Sequence, residues 1–246
     1  MNPFIPVEEA NLVIVDGRLE DYKLDIFKRL NIKVIKTIKC DDLEESISFH
    51  PDIVIHPVNH NTLVIAPNVY DYYVDRLKGY NVKLIKGEKY LESKYPWDIA
   101  YNVGRLENIA VHNFKYCDEK LKFYLKKENL ELIHVNQGYT KCSMAIVGEN
   151  ECITADYGIY KELIKIGCRV LLIEPGHIIL KNQKYGFIGG STGNYSRDII
   201  FMAGSLENHP NKDYILKFID DAKKKILYLS DEPIVDVGTI ISLKCN

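Results

Sequence analysis

The sequence predicts an α/β protein built as a five-bladed, pseudo-symmetric α/β propeller: one domain, residues 1–246, made of five strand–helix–strand–strand repeats. Three observations predict it. A short apolar strand recurs five times, at a period of about 45 residues. A helical pattern and then a second apolar strand follow it each time. A small or polar-rich segment closes each unit, and no linker interrupts the series.

The first repeat (about 11–61) opens with LVIVD at Leu12–Asp16. In DYKLDIFKRL, Tyr22, Ile26, Phe27 and Leu30 share one helical face with charges opposite. IKVIK at Ile32–Lys36 and DIVIHPV at Asp52–Val58 complete it. The second repeat (about 62–108) has LVIAP, a helix facing inward through Tyr70, Tyr73, Val74 and Leu77, VKLIK at Val82–Lys86 and DIAYNV at Asp98–Val103. The third (about 109–150) has IAVHN, a helix with Leu121, Tyr124 and Leu125 inward, LELIHV and KCSMAIV at Lys141–Val147. The fourth (about 151–197) has CITAD, a helix with Ile159, Leu163 and Ile166 inward, RVLLIE and GFIGGSTGN at Gly186–Asn194. The fifth (about 198–246) has IIFMA, a helix with Tyr214, Ile215, Phe218, Ile219 and Ala222 inward, KILYL and DVGTIISL at Asp236–Leu243. Asp118 and Asn211 suit helix N-caps, and Gly79 and Gly167 suit left-handed helix ends.

The second strands read as nearly continuous apolar or β-branched runs, as for strands covered on both faces. Strand–helix–strand implies a right-handed crossover and a parallel pair. One such unit cannot bury its own apolar surface, but five around an axis can, with helices outside and closing segments converging inside. The competing architecture is one doubly wound sheet. Against it, VDGRLED follows the first strand where GxGxxG would be needed.

The apolar fraction of 46% and charged fraction of 27% are those of an ordinary globular chain. A net charge of -2 gives no general attraction to nucleic acid or membrane, so neither is an expected partner. The N-terminus lacks a basic-then-apolar signal pattern, and no run approaches the ~18 apolar residues of a spanning helix. Six cysteines without CxxC spacing suggest reduced thiols and a cytoplasmic setting. Richness in Lys, Ile, Tyr and Asn suggests a microbial, bacterial source. GFIGGSTGN lacks the lysine of a phosphate-binding loop, and no cofactor is expected.

Chemistry-bearing residues fall in the closing segments. Cys142 is the candidate nucleophile, with Lys141 beside it to favour the thiolate if both point inward, although neighbours on a strand face opposite ways. His50 or His56 is the candidate proton shuttle, with Asp52 as orienting carboxylate; strand alternation puts Asp52 and His56 on one face, with His50 in phase. A metal is not expected, because His50, Asp52 and His56 on one straight strand would lie about 7 Å apart. Asp52, Asp98 and Asp236 each open a closing segment. If they converge they would hold a cationic group such as a guanidinium; otherwise each caps its own turn. Asn102, Gln137 and Thr239 are candidate polar contacts for a small-molecule ligand.

This organisation resembles the pentein superfamily, the guanidino-group-modifying enzyme fold. VNQGYTKCS (Val135–Ser143), YGFIGGSTG (Tyr185–Gly193) and VDVGTIISL (Val235–Leu243) further resemble an uncharacterised bacterial family assigned to that fold. The resemblance implies a cysteine attacking a guanidinium carbon, a histidine relaying protons and carboxylates holding the cation. It also implies a nucleophile in the last closing segment, where Thr239 and Ile240 stand here and Cys245 lies beyond. GYTKC at Gly138–Cys142 has the look of that approach in the third blade instead. Two readings follow: a cysteine-dependent hydrolase or transferase acting on C–N bonds of a small guanidino, amidine or amide substrate, or a binding protein that keeps the fold without catalysis.

Overall fold

The computed structural model describes residues 1–245. The chain runs through β1 (Leu12–Val15), α1 (Asp21–Arg29), β2 (Lys33–Lys36), a helical turn α2 (Pro51–Val54) and β3 (Ile55–Asn59). Next come β4 (Thr62–Ile65), α3 (Tyr70–Arg76), β5 (Lys83–Lys86) and β6 (Gly104–Leu106). β7 (Ile109–His112), α4 (Glu119–Lys127) and β8 (Glu131–His134) precede a second helical turn, α5 (Thr140–Ser143), and β9 (Met144–Gly148). β10 (Glu151–Thr154), α6 (Tyr157–Lys165) and β11 (Arg169–Leu172) lead to a 3-10 turn (Gly189–Ser191) and β12 (Thr192–Asn194). β13 (Ile199–Met202), α7 (Lys212–Asp221), β14 (Lys225–Tyr228) and β15 (Ile241–Leu243) complete it.

These strands form five sheets of three, which fits the five repeats. The orders are β15-β1-β2, β3-β4-β5, β6-β7-β8, β11-β10-β9 and β12-β13-β14. In each, the opening strand is central. It pairs parallel with its own unit's second strand and antiparallel with the preceding unit's closing strand. The last closing strand pairs with the first opening strand, Leu12 against Leu243, so the two ends of the chain share a sheet.

Central position explains why β1, β4 and β7 are buried at every residue. The second strands depart from the expectation of two covered faces. They are outer edges, and β2, β5 and β8 show exposed or half-exposed residues. Flanking lysines on β2 and β5 suit such an edge, where unpaired backbone would otherwise invite further pairing. The helices lay part of their expected apolar stripes on the sheets, Phe27 of α1 meeting Phe201 of β13 edge to face at 5.1 Å, but Tyr22, Val74, Ile166 and Tyr214, expected inward, are exposed.

The caps divide. Asp118 accepts from the Leu121 amide at 2.8 Å, whereas Asn211 turns away and accepts from the Glu174 amide at 2.7 Å. Gly79 and Gly167 end their helices at φ +89° and +85°. All six cysteines are free and buried. Among the described residues, no helix is long and apolar enough to cross a membrane.

The closing segments correct the sequence reading most. Residues 51–54 and 140–143 are helical turns, not extended strand, and both run directly into closing strands. Pro51 presets the first helical φ of α2. At α5 the Asn102 side-chain carbonyl accepts from the free first-turn amides of Lys141 (2.8 Å) and Cys142 (3.2 Å).

Candidate functional site

A helical turn rotates successive side chains by about 100° rather than 180°. That is how both Lys141 and Cys142, neighbours in sequence, reach one polar cluster. Cys142 Sγ donates to the Asp52 carboxylate, at 3.1 and 3.2 Å from its two oxygens. Asn102 Nδ2 donates to the same sulfur at 3.1 Å and to the Asp52 carbonyl at 3.0 Å, tying α5 to α2. Lys141 Nζ donates to Thr239 Oγ1 at 2.7 Å and to the Gly189 carbonyl at 3.1 Å. The Thr239 hydroxyl lies 2.8 Å from Asp52 Oδ2 and 2.9 Å from the Gly189 carbonyl. Thr239 takes φ +75°, rare for a β-branched residue, and these bonds hold it there.

His50 is 1% exposed, and neither ring nitrogen has a hydrogen-bond partner. Its Nδ1 is 3.9 Å from Asp236 Oδ1 and its Nε2 3.8 Å from Asp16 Oδ2. Asp16 in turn is gripped by Arg18, with Nε at 3.0 Å and Nη2 at 2.7 Å. Asp236 accepts from the Phe187 amide at 2.8 Å and the Gly238 amide at 2.9 Å. Two glycines are required for this packing. A Cβ on Gly238, at φ +64°, would lie 2.2 Å from His50 Cβ; one on Gly190 would lie 1.9 Å from Asp236 Oδ1.

A cavity of about 320 Å³ opens onto the cluster, lined by His50, Cys142, Asp236, Tyr139, Tyr185 and Phe187 among others. Part of its wall is aromatic, from Tyr139, Tyr185 and Phe187, the Tyr139 and Phe187 centroids 6.1 Å apart. Gln183 Nε2 spans the mouth to Glu44 (2.8 and 2.9 Å) and Ser46 (3.2 Å). A second cavity of about 400 Å³ contains Asp16, Arg18 and Asp236 on its wall, and Asp236 lines both.

Burial dominates the electrostatics. It pushes the Cys142 thiol well above its ordinary range, and the Asp52 charge pushes the same way. Burial holds Lys141 below the usual lysine range, opposed by Asp52. Burial likewise raises Asp236, partly offset by His50. Burial and Asp52 thus both favour the thiol form of Cys142, and Lys141 opposes them.

Of the candidate residues, His50, Asp52, Asn102, Lys141, Cys142, Asp236 and Thr239 are brought together. Asp98 lies one layer out. Its carboxylate accepts from the Tyr139 hydroxyl, and burial raises it while that bond opposes. Gln137 also stands back, bonded to Asp156 at 3.0 Å and accepting from the Tyr139 amide at 3.0 Å. His56 is not brought to Cys142. Because residues 51–54 are helical, the strand phase linking His56 to Asp52 fails; His56 sits in β3 with its ring on Phe4 at 5.7 Å. Burial, then the Arg105 charge, holds it well below the usual histidine range. Trp97, half exposed, packs edge-on to Tyr116 at 5.7 Å. The sequence reading missed Asp16 and Tyr139. A lone carboxylate ending the first apolar strand was the available signal for Asp16; Tyr139 carried none beyond its place in GYTKC.

Residues 14–241 match a protein family described as a family of unknown function, DUF6873. The chain belongs to that family. None of the curated proteins matches it in sequence. Among solved structures it is similar to SxtG, an amidinotransferase from Microseira wollei in the saxitoxin biosynthetic pathway (13% identity, TM-score 0.56, covering 94% of this chain and 95% of that one). It is similar to the agmatine deiminase of C. jejuni (12%, 0.54, 91% and 88%). It is also similar to the DDAH of Pseudomonas aeruginosa complexed with citrulline (7%, 0.56, 91% and 93%). At these identities what is shared is the fold, and the fold is that of the pentein superfamily.

Proposed function

We propose that the five sheets close into a propeller around the Cys142 cluster and that the chain is a cysteine-dependent hydrolase or transferase. Its substrate would be a small cationic guanidino, amidine or amide compound cleaved at a C–N bond. The observation that carries this reading is the buried contact of Cys142 Sγ with Asp52, beside an unpartnered His50 and Asp236, on a cavity of about 320 Å³.

Carboxylates near one another are costly without a cation, and a planar guanidinium fork suits them. A cation bound against Asp52 and Asp236 would offset the charge that keeps the Cys142 proton in place. The thiol proton then passes to a free nitrogen of His50, and sulfur forms a bond to the central carbon. The C–N bond breaks as His50 returns the proton to the leaving amine. Water would release the product in a hydrolase; an acceptor amine would do so in a transferase. Tyr139, held by Asp98, and Phe187 would cover the substrate's apolar stem.

The structural neighbours, an amidinotransferase, an agmatine deiminase and a DDAH complexed with citrulline, agree in chemistry with this reading. A second reading is favoured by Thr239 and Ile240 standing near the place where the resemblance implies a nucleophile, and by burial that pushes the Cys142 thiol upward. In that reading the protein binds its ligand without turnover. The test is a panel of guanidino compounds, assayed for ureido product, released ammonia and amidino transfer, with Cys142→Ser in parallel. Product formation lost in Cys142→Ser supports the enzyme. Ligand-induced thermal stabilisation equal in both forms, without product, supports the binding protein and sinks the enzyme.

A further inference from the structure

The cluster also has the makings of a metal centre, against the expectation from the sequence. That expectation rested on three ligands spread along one straight strand. The helical turn at Pro51–Val54 removes its premise, and Cys142 arrives from another part of the chain. His50, Asp52 and Cys142 each offer a ligand atom, all within 4.8 Å of one another and all buried. We propose that these three residues form a binding site for a thiophilic divalent cation of the zinc class, with its fourth position open to the cavity.

Geometry supports this first. Tetrahedral zinc with sulfur, nitrogen and oxygen ligands sets ligand atoms roughly 3.4–3.6 Å apart. Cys142 Sγ and the Asp52 oxygens already stand at 3.1 and 3.2 Å. Only His50 must close in, and it is the ligand with no hydrogen bond to break. A histidine buried to 1% exposure with both nitrogens unpartnered is costly unless something is meant to meet it.

Charge supports it next. Binding forms an M–S bond and breaks the S–H bond of Cys142, whose proton leaves to the buffer. A dication with one thiolate, one carboxylate and one neutral imidazole then sums to zero, which suits a buried site. Asn102 Nδ2, 3.1 Å from the sulfur, would remain as an outer donor to the bound thiolate. Lys141 opposes the cation, but its ammonium is directed to Thr239 and the Gly189 carbonyl. One sulfur, one nitrogen and one carboxylate select zinc, cobalt or copper over magnesium and calcium, which need more oxygens. Three protein ligands plus an open position is the pattern of sites that take up water or a small ligand.

This inference stands apart from the proposed C–N chemistry, because a metal on Cys142 would block that sulfur as a nucleophile. The test is titration of chelator-treated protein with cobalt(II), followed by absorbance, and with zinc as competitor. The expected result is one cobalt per chain with a thiolate-to-metal charge-transfer band, bleached by zinc. The band should vanish in Cys142→Ser. Affinity should fall more than ~100-fold in His50→Gln and in Asp52→Asn, beyond what outer partners cost. Near-ultraviolet circular dichroism verifies that each variant is folded. A folded wild type with no band at saturating cobalt overturns the site. So does a band that survives in Cys142→Ser, or an affinity unchanged in both His50→Gln and Asp52→Asn. Turnover of guanidino compounds plays no part in this readout, so its failure leaves the metal result intact.

Discussion

Replacing Lys141 by methionine tests whether the centre of the molecule needs an internal cation. Methionine matches the length of the stem but donates nothing. The change removes the bonds at 2.7 Å to Thr239 and 3.1 Å to the Gly189 carbonyl, and the ammonium that sits 5.2 Å from the Phe4 ring. It leaves Asp52 and Asp236 buried without a positive charge that interacts with both. Losing one member of a buried charge group costs about 3–5 kcal/mol. In a chain of this size each kcal/mol shifts the melting temperature by about 2–4 °C, so Lys141→Met should melt about 6–20 °C lower. The pH dependence has a definite sign. Burial already raises Asp236, and loss of Lys141, whose charge interacts with it, pushes the same way. The folded variant then binds more protons than the unfolded chain between the ordinary carboxylate range and the raised one. Its deficit must therefore shrink as pH falls through that window. Agmatine should stabilise the variant more than the wild type, because it replaces the missing cation. The assay is thermal unfolding from mildly acidic to neutral pH, with and without agmatine. A loss below about 1 kcal/mol, typical of a surface change, or a deficit that widens on acidification, would refute the reasoning.

Gly238→Ala should destabilise by at least about 2 kcal/mol, since it adds a Cβ 2.2 Å from His50 Cβ at φ +64°; urea unfolding measures it. Cys142 should alkylate more slowly than an ordinary thiol at neutral pH, because burial and Asp52 keep its proton on. Asp52→Asn should speed labelling at Cys142 alone, read per cysteine by mass spectrometry, and equal rates would contradict the account. Lys224, 6% exposed, is held down to about 8 from 10.5 by burial. Between those values the unfolded chain binds more protons, so stability should rise with pH there, by at most about 3 kcal/mol. Denaturant midpoints for wild type and Lys224→Met should diverge across that window, and parallel curves would show the burial to be irrelevant.

The repeat was legible because its signals are local. Apolar runs such as LVIVD, stripes such as Leu121 with Leu125 and glycines such as Gly79 and Gly167 report periodicity and backbone freedom over a few residues, whereas Tyr22, read as inward, is exposed. The sequence by itself therefore determined the five strand–helix–strand units and the segments to search for chemistry. It also named most of the cluster, because unmatched polar residues in otherwise regular repeats stand out. Which strand is central was less plain, although the charged residues of the second strands (Lys33 and Lys36, Lys83 and Lys86) were a signal for an edge; pairing with the preceding unit's closing strand decides it. The sequence could not phase His50, Asp52 and His56. A four-residue helical turn, stabilised at α5 by an Asn102 side chain some 40 positions away, changes which neighbours face inward. The meeting of Cys142 with Asp52 spans 90 positions and that of Thr239 with Asp52 spans 187. Contacts that distant carry no periodic trace. They exist because the sheets, once packed, bring the loops to one place, and only the tertiary structure decides which side chains arrive there.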